Sequence, residues 1–264
     1  MIEGVPYGPI LALAFISGIT TIIGVAFAYL CRRSSTIIVA GIGFSTGIMV
    51  LISVFELLPE AASESGIAAT LFAVALGVGL AILLNHIIPH THLIREGRRP
   101  HSGMGRCHEP PGRGRHRMVV AAYMIALGLV LHDVPEGFAM ANSYIHAPNL
   151  GILVAIAIAL HNIPEEFAMA IPLIAAGKSR SSVFKIGFIS GLAEPAGALL
   201  GLVAVQLMSG INAYLLGATA GIMIYISLHE LWPMAHSYKK PGLLAMGMLG
   251  SVAVFVALTL LLPE

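Results

Sequence analysis

The sequence predicts an all-α integral membrane protein of eight transmembrane helices, built as a 3+2+3 inverted repeat. Three observations carry this prediction. Of 264 residues, 57% are hydrophobic and 10% charged, with mean hydropathy +0.90; a soluble domain carries about a quarter charged residues. Eight apolar runs are long enough to cross a bilayer, which takes about 20 residues of helix. Finally, segments of the first half return in the second, each after an odd number of crossings.

The predicted spans are 9–30, 36–58, 67–92, 118–142, 150–176, 183–208, 212–235 and 242–262. They form one membrane domain over residues 1–264, with 93–117 as a flexible loop rich in Arg, Gly, Pro and His. All fourteen Lys and Arg fall in four connections or, for Lys185, in the first turn after one of them. Arg32 and Arg33 follow the first span. Arg95, Arg98, Arg99, Arg106, Arg113, Arg115 and Arg117 follow the third. Lys178, Arg180 and Lys185 follow the fifth, and Lys239 and Lys240 the seventh. With eight alternating crossings these connections share one side, which the positive-inside rule makes cytoplasmic. Both termini are then outside, in the cell (inner) membrane. The start, Met1-Ile2-Glu3, lacks a basic segment before its apolar run, so no cleaved signal peptide is expected. Cys31 and Cys107 make no disulfide framework.

Residues 43–59 of the second span resemble 217–233 of the seventh, at an offset of 174. Phe15-Ile16-Ser17-Gly18 of the first returns as Phe188-Ile189-Ser190-Gly191 of the sixth, at an offset of 173. Spans one to three thus echo six to eight, and four echoes five. Each copy crosses in the opposite direction, which places a pseudo-two-fold in the membrane plane; substrate sites in such bundles lie at the repeat interface. Gly43 with Gly47, and Gly217 with Gly221, predict close helix packing.

The four–five pair carries a motif written twice. His132-Asp133-Val134-Pro135-Glu136 recurs 29 residues later as His161-Asn162-Ile163-Pro164-Glu165. His and Glu four apart share a helix face. Imidazole and carboxylate together suit Zn, Fe and Mn. Each Pro cannot donate to the carbonyl four residues back, so Leu131 and Leu160 keep free oxygens beside the His. Apart from Lys185 in the first turn of the sixth, the spans contain no Lys or Arg to neutralise Asp133, Glu136, Glu165, Glu166 and Glu194. Intramembrane acids are costly unless partnered, and the partner here is a cation or a proton. His132, Glu136, His161 and Glu165 therefore form a candidate metal site rather than a mere hydrogen-bonded kink. Asp133 and Asn162 offer further oxygens. Glu194, before Pro195, is a third-helix carboxylate for the same cluster.

Glu56, near the outer end of span two, and His229 and Glu230, near the cytoplasmic end of span seven, are candidates for the two mouths of a path. The alternative is ordinary interfacial residence. His86 and His90 lie four apart at the cytoplasmic end of span three and can line the same path. The loop beyond them reads as a solvated basic segment near anionic headgroups, or as a loose metal-binding loop. His229-Glu230 is no zinc-protease signature, because Pro233 stands where the second His is needed. No Gly-rich nucleotide loop is present. No enzymatic activity is expected.

On the paired His-x-x-Pro-Glu motif, the eight spans, the His-bearing third loop and Glu194-Pro195, nearly the whole chain resembles the ZIP family of metal transporters, closest to its prokaryotic zinc-uptake branch. The resemblance implies uptake of divalent metal into the cytoplasm, without ATP, by alternating access. It also implies a binuclear midplane site at His132, Asp133, Glu136, His161, Asn162, Glu165 and Glu194. Zn2+ is the implied substrate, with Fe2+, Mn2+ or Cd2+ as others. Asp133 stands where the family frequently has Asn, and Glu166 where it frequently has Gly. Four carboxylates would balance two divalent cations, and an emptied cluster of this kind takes up protons, which permits metal–proton exchange. The implied partners are metal ions and the lipid bilayer, with a homodimer left open and no nucleic acid. A passive metal channel shares these residues. A bis-His haem protein would not need the Pro-Glu after each His.

Overall fold

The computed structural model describes residues 6–31, 34–87, 113–208 and 210–262. Among these residues the chain is helical, without strands, and forms eight rods. They are α1 Tyr7–Cys31, α2 Ser35–Ser65, α3 Ile67–Ile87, α4 Arg113–His146, α5 Pro148–Ala175, α6 Arg180–Leu207, α7 Asn212–His236 and α8 Pro241–Leu261. Seven are long and apolar enough to cross a membrane. The other, α4, has 34 residues, about 50 Å of helix.

Local chemistry sets the ends. The Ser34 and Ser179 hydroxyls accept from the amides of Ile37 and Ser182, capping α2 and α6. Pro148 and Pro241 open α5 and α8, where a missing N–H costs nothing. At the end of α5, Gly177 takes φ 74°. Its N–H bonds Ile174 O, and Lys178 N–H bonds Leu173 O at 3.1 Å, which completes a Schellman turn.

Three boundaries differ from the sequence expectation, each for a local reason. α2 runs on to Ser65 because a π-helical turn, Ser53–Leu57, precedes Pro59; Pro59 then falls in the first turn of the next α segment, where it is tolerated. Glu56 consequently lies inside the rod, not near its end. α4 starts at Arg113, within the stretch read as loop. α6 is broken at Leu192, between Gly191 and Ala193, so Glu194 opens a new helical segment. A second π-helical turn, Ser227–Leu231, interrupts α7 at the position that matches the first.

The main pairings are α1 with α5, α4 with α6, α2 with α8 and α3 with α7; α4 also packs on α5. Exchanging α1–α3 for α6–α8, and α4 for α5, maps these pairings onto one another. The close approaches obey the same exchange. A Cβ on Gly18 would stand 2.1 Å from Gly191 O, and one on Gly191 2.2 Å from Gly18 O. Gly24 lies against Ile163 O as Gly197 lies against Val134 O. Gly43 and Gly47 meet α8, and Gly217 and Gly221 meet α3, each with no room for a methyl group. α3 and α8 turn large apolar residues such as Leu71, Leu76, Leu249 and Leu260 outward, the expected lipid face. Among the seven apolar rods, α2 and α5 are the most enclosed.

Candidate metal centre

The two copies of the motif meet across the α4–α5 contact. Both helices continue through Pro135 and Pro164, and every polar side chain of the motif is buried. His132 Nε2 lies 2.9 Å from Glu165 Oε2, 3.3 Å from Glu136 Oε1 and 3.9 Å from Asp133 Oδ1. His161 Nε2 lies 3.0 Å from Glu136 Oε1. Glu136 thus stands between the two imidazoles, and three carboxylates converge on His132.

The His161 tautomer follows from its other nitrogen. Nδ1 is 2.9 Å from Ala157 O, and a carbonyl only accepts, so Nδ1 carries the proton. Nε2 then faces a carboxylate, and the pair needs a second proton or a metal ion. Donation of the remote N–H to a backbone carbonyl is how a metal-ligating His is usually held. None of the ion pairs made by Asp133, Glu136 or Glu165 among the described residues involves Lys or Arg. Ligand atoms lie within 4.8 Å of one another in two groups, His132–Asp133–Glu136 and Glu136–His161–Glu165, which share Glu136.

Asn162 and Glu194 are buried beside this cluster but engage each other. Asn162 Nδ2 donates to Glu194 Oε1 at 2.5 Å, and Glu194 joins neither ligand group. Glu136 Oε2 and Asn162 Oδ1 are buried without a hydrogen-bond partner. Buried oxygens left unsatisfied call for a partner, and a metal ion is one such partner.

Three hydroxyls that sequence reasoning missed orient the acids. Ser17 donates to Glu194 Oε2, Ser45 to Glu165 Oε1, and Ser190 to Asp133 Oδ2 at 2.6 Å. Ser17 and Ser190 are the matching serines of the internal repeat. That repeat was the available signal, although it does not say what either hydroxyl touches. Glu166 is buried outside both groups, and Gly24 and Gly187 leave it space.

The residues proposed for the mouths stand apart from the centre. Glu56 is buried in the first π-helical turn, and Glu230 is half-buried in the second. His229 is exposed, with its ring stacked on Tyr225 at 4.4 Å. His86 is exposed near the end of α3; His90 lies outside the described residues.

The profile of the ZIP Zinc transporter family matches residues 86–260. The chain belongs to the ZIP family. Among curated relatives, a zinc transporter ZupT of Chlorobium phaeovibrioides is 38% identical, over 96% of this chain and 97% of its own length. One from Corynebacterium efficiens is 36% identical over 95% and 96%, and one from Streptococcus mutans 33% over 95% and 96%. The relatives are transporters, so this ZIP protein is a multi-pass membrane transporter and not an enzyme.

Proposed function

We propose that this protein carries zinc from outside the cell into the cytoplasm through the α4–α5 centre, without ATP. One observation supports this above the rest: two imidazoles and three carboxylates converge in the bundle interior, and among the described residues none of their ion pairs involves Lys or Arg. A divalent cation removes that charge. The printed names of the relatives point to zinc, and the same donors admit Fe2+, Mn2+ or Cd2+.

The site is read as binuclear, with Glu136 bridging. One metal takes His132, Asp133, Glu136 and Glu165, and the other draws on His161, Asn162, Glu136 and Glu194. Zinc titration of purified protein, with bound metal counted, tests this. Asp133→Asn keeps the side-chain shape and removes one charge. Apparent KM for uptake should rise about tenfold, the scale of a perturbed ligand shell, and the metal-to-protein ratio at limiting zinc should fall. Unchanged stoichiometry and affinity would remove Asp133 from the ligands and leave a mononuclear site.

Alternating access follows from the inverted-repeat reading, in which one half moves against the other around the site. The positive-inside rule puts both termini outside the inner membrane. An impermeant thiol reagent should then miss Cys31 and Cys107 in intact cells and reach Cys107 once the membrane is opened. Labelling of Cys107 in intact cells would reverse the orientation.

A further inference from the structure

A second His–carboxylate cluster lies at one end of the bundle, away from the centre. It gathers where α2, α4 and α7 reach the face opposite the Lys- and Arg-bearing connections. Glu60 and Glu64 stand one turn apart on the last segment of α2, and His146 is the last residue of α4. His146 Nδ1 lies 2.6 Å from Glu60 Oε1 and 3.3 Å from Glu64 Oε1. One ligand atom of each falls within 4.8 Å of the others. Asn212, the first residue of α7, donates from Nδ2 to Glu64 Oε1 at 2.9 Å. Asn212 is 8% exposed, and its Oδ1 has no hydrogen-bond partner.

A simple ion pair needs one carboxylate for one imidazole. Here two carboxylates converge on one imidazole. Imidazole nitrogen and carboxylate oxygen are both zinc donors, and an open zinc site takes three protein ligands with a fourth position left free. Rotation of the Asn212 amide would present its oxygen there. The His146 side chain is 40% exposed, which suits capture and release better than a closed structural site.

The cluster and the centre share α4. His146 lies ten residues beyond Glu136 on α4, about 15 Å along the axis. Between them, Asn142 and Ser143 are fully buried, and their side-chain polar atoms have no hydrogen-bond partner. Ser143 is seven residues from Glu136, two turns along the same helix face.

We propose that Glu60, Glu64 and His146, completed by Asn212, form an outer divalent-metal site that loads the central one along the Ser143 face of α4. The loading role rests on the transport reading above; metal binding at the cluster does not.

The test uses the full chain with the centre disabled by Glu136→Ala and Glu165→Ala together, titrated with zinc alone by equilibrium dialysis. Because the loop between α3 and α4 carries further His, the quantity read is the change on adding His146→Ala or, as a shape-preserving second variant, Glu64→Gln. Either change should weaken one zinc equivalent at least tenfold, since loss of a direct ligand costs no less than loss of its support. In the chain with an intact centre, His146→Ala should raise the KM for zinc uptake several-fold and leave the maximal rate near wild type. Identical zinc isotherms with and without both substitutions would overturn the site. Loss of zinc binding at the cluster with an unchanged KM would overturn the loading role. Absence of transport in the wild type, with the isotherm change intact, would overturn the transport reading and leave the outer site standing.

Discussion

Zinc uptake should fall to the empty-vector background in Glu136→Ala and in Glu165→Ala, with each variant still in the membrane at wild-type level. Glu136 lies 3.3 Å from one motif imidazole and 3.0 Å from the other, so its loss removes a donor shared by both ligand groups. Glu165 lies 2.9 Å from His132 and accepts from Ser45. Groups that merely support a ligand are worth about 10–100-fold in metal affinity, and a direct ligand is worth more. Both residues are buried among polar groups, so truncation leaves polar-lined space that water can fill. Wild-type uptake by both variants at matched expression would remove the α4–α5 cluster from the transport path.

The second large effect falls on packing. Gly18→Ala should destabilise the bundle and disarm the centre together. The new methyl group would stand 2.1 Å from the Gly191 carbonyl oxygen. That neighbour is backbone and cannot rotate away, so α1 and α6 must separate. Overpacking of this kind typically costs about 1–3 kcal/mol. The adjacent residues carry the functional cost: Ser17 holds Glu194 and Ser190 holds Asp133. Gly8→Ala, with nothing within 4 Å of its Cβ, is the control. Purified Gly18→Ala should unfold at a clearly lower temperature in detergent than wild type or Gly8→Ala, and its uptake should drop. Equal unfolding temperatures for all three would show that the α1–α6 contact does not set stability.

The centre was legible in the sequence because its chemistry is written twice. His132, Glu136, His161 and Glu165 recur at one spacing within apolar runs, and no soluble-protein pressure puts acids there. The glycine contacts were legible for a similar reason, since Gly43, Gly47, Gly217 and Gly221 recur at helical spacing and do meet neighbouring helices. The serines were not. A Ser in a helix can bond its own backbone, as Ser53 does with Met49 O, and nothing local tells that Ser17 reaches an acid 177 residues away.

α2 extends beyond the predicted second span, through Pro59, Glu60 and Glu64, which look like loop chemistry. The π-helical turn that carries the helix past Pro59 has no compositional mark. The outer cluster was invisible for a different reason. Glu60, Glu64, His146 and Asn212 come from the ends of three rods, and only the packing of α2, α4 and α7 brings them together.

The most direct test of the transport reading is zinc flux into sealed proteoliposomes that contain only this protein, followed by a trapped indicator without ATP. Saturable zinc entry driven by the imposed gradient is expected, absent from vesicles carrying Glu136→Ala. Zinc entry no faster than in protein-free vesicles, or equal in wild type and Glu136→Ala, would contradict it.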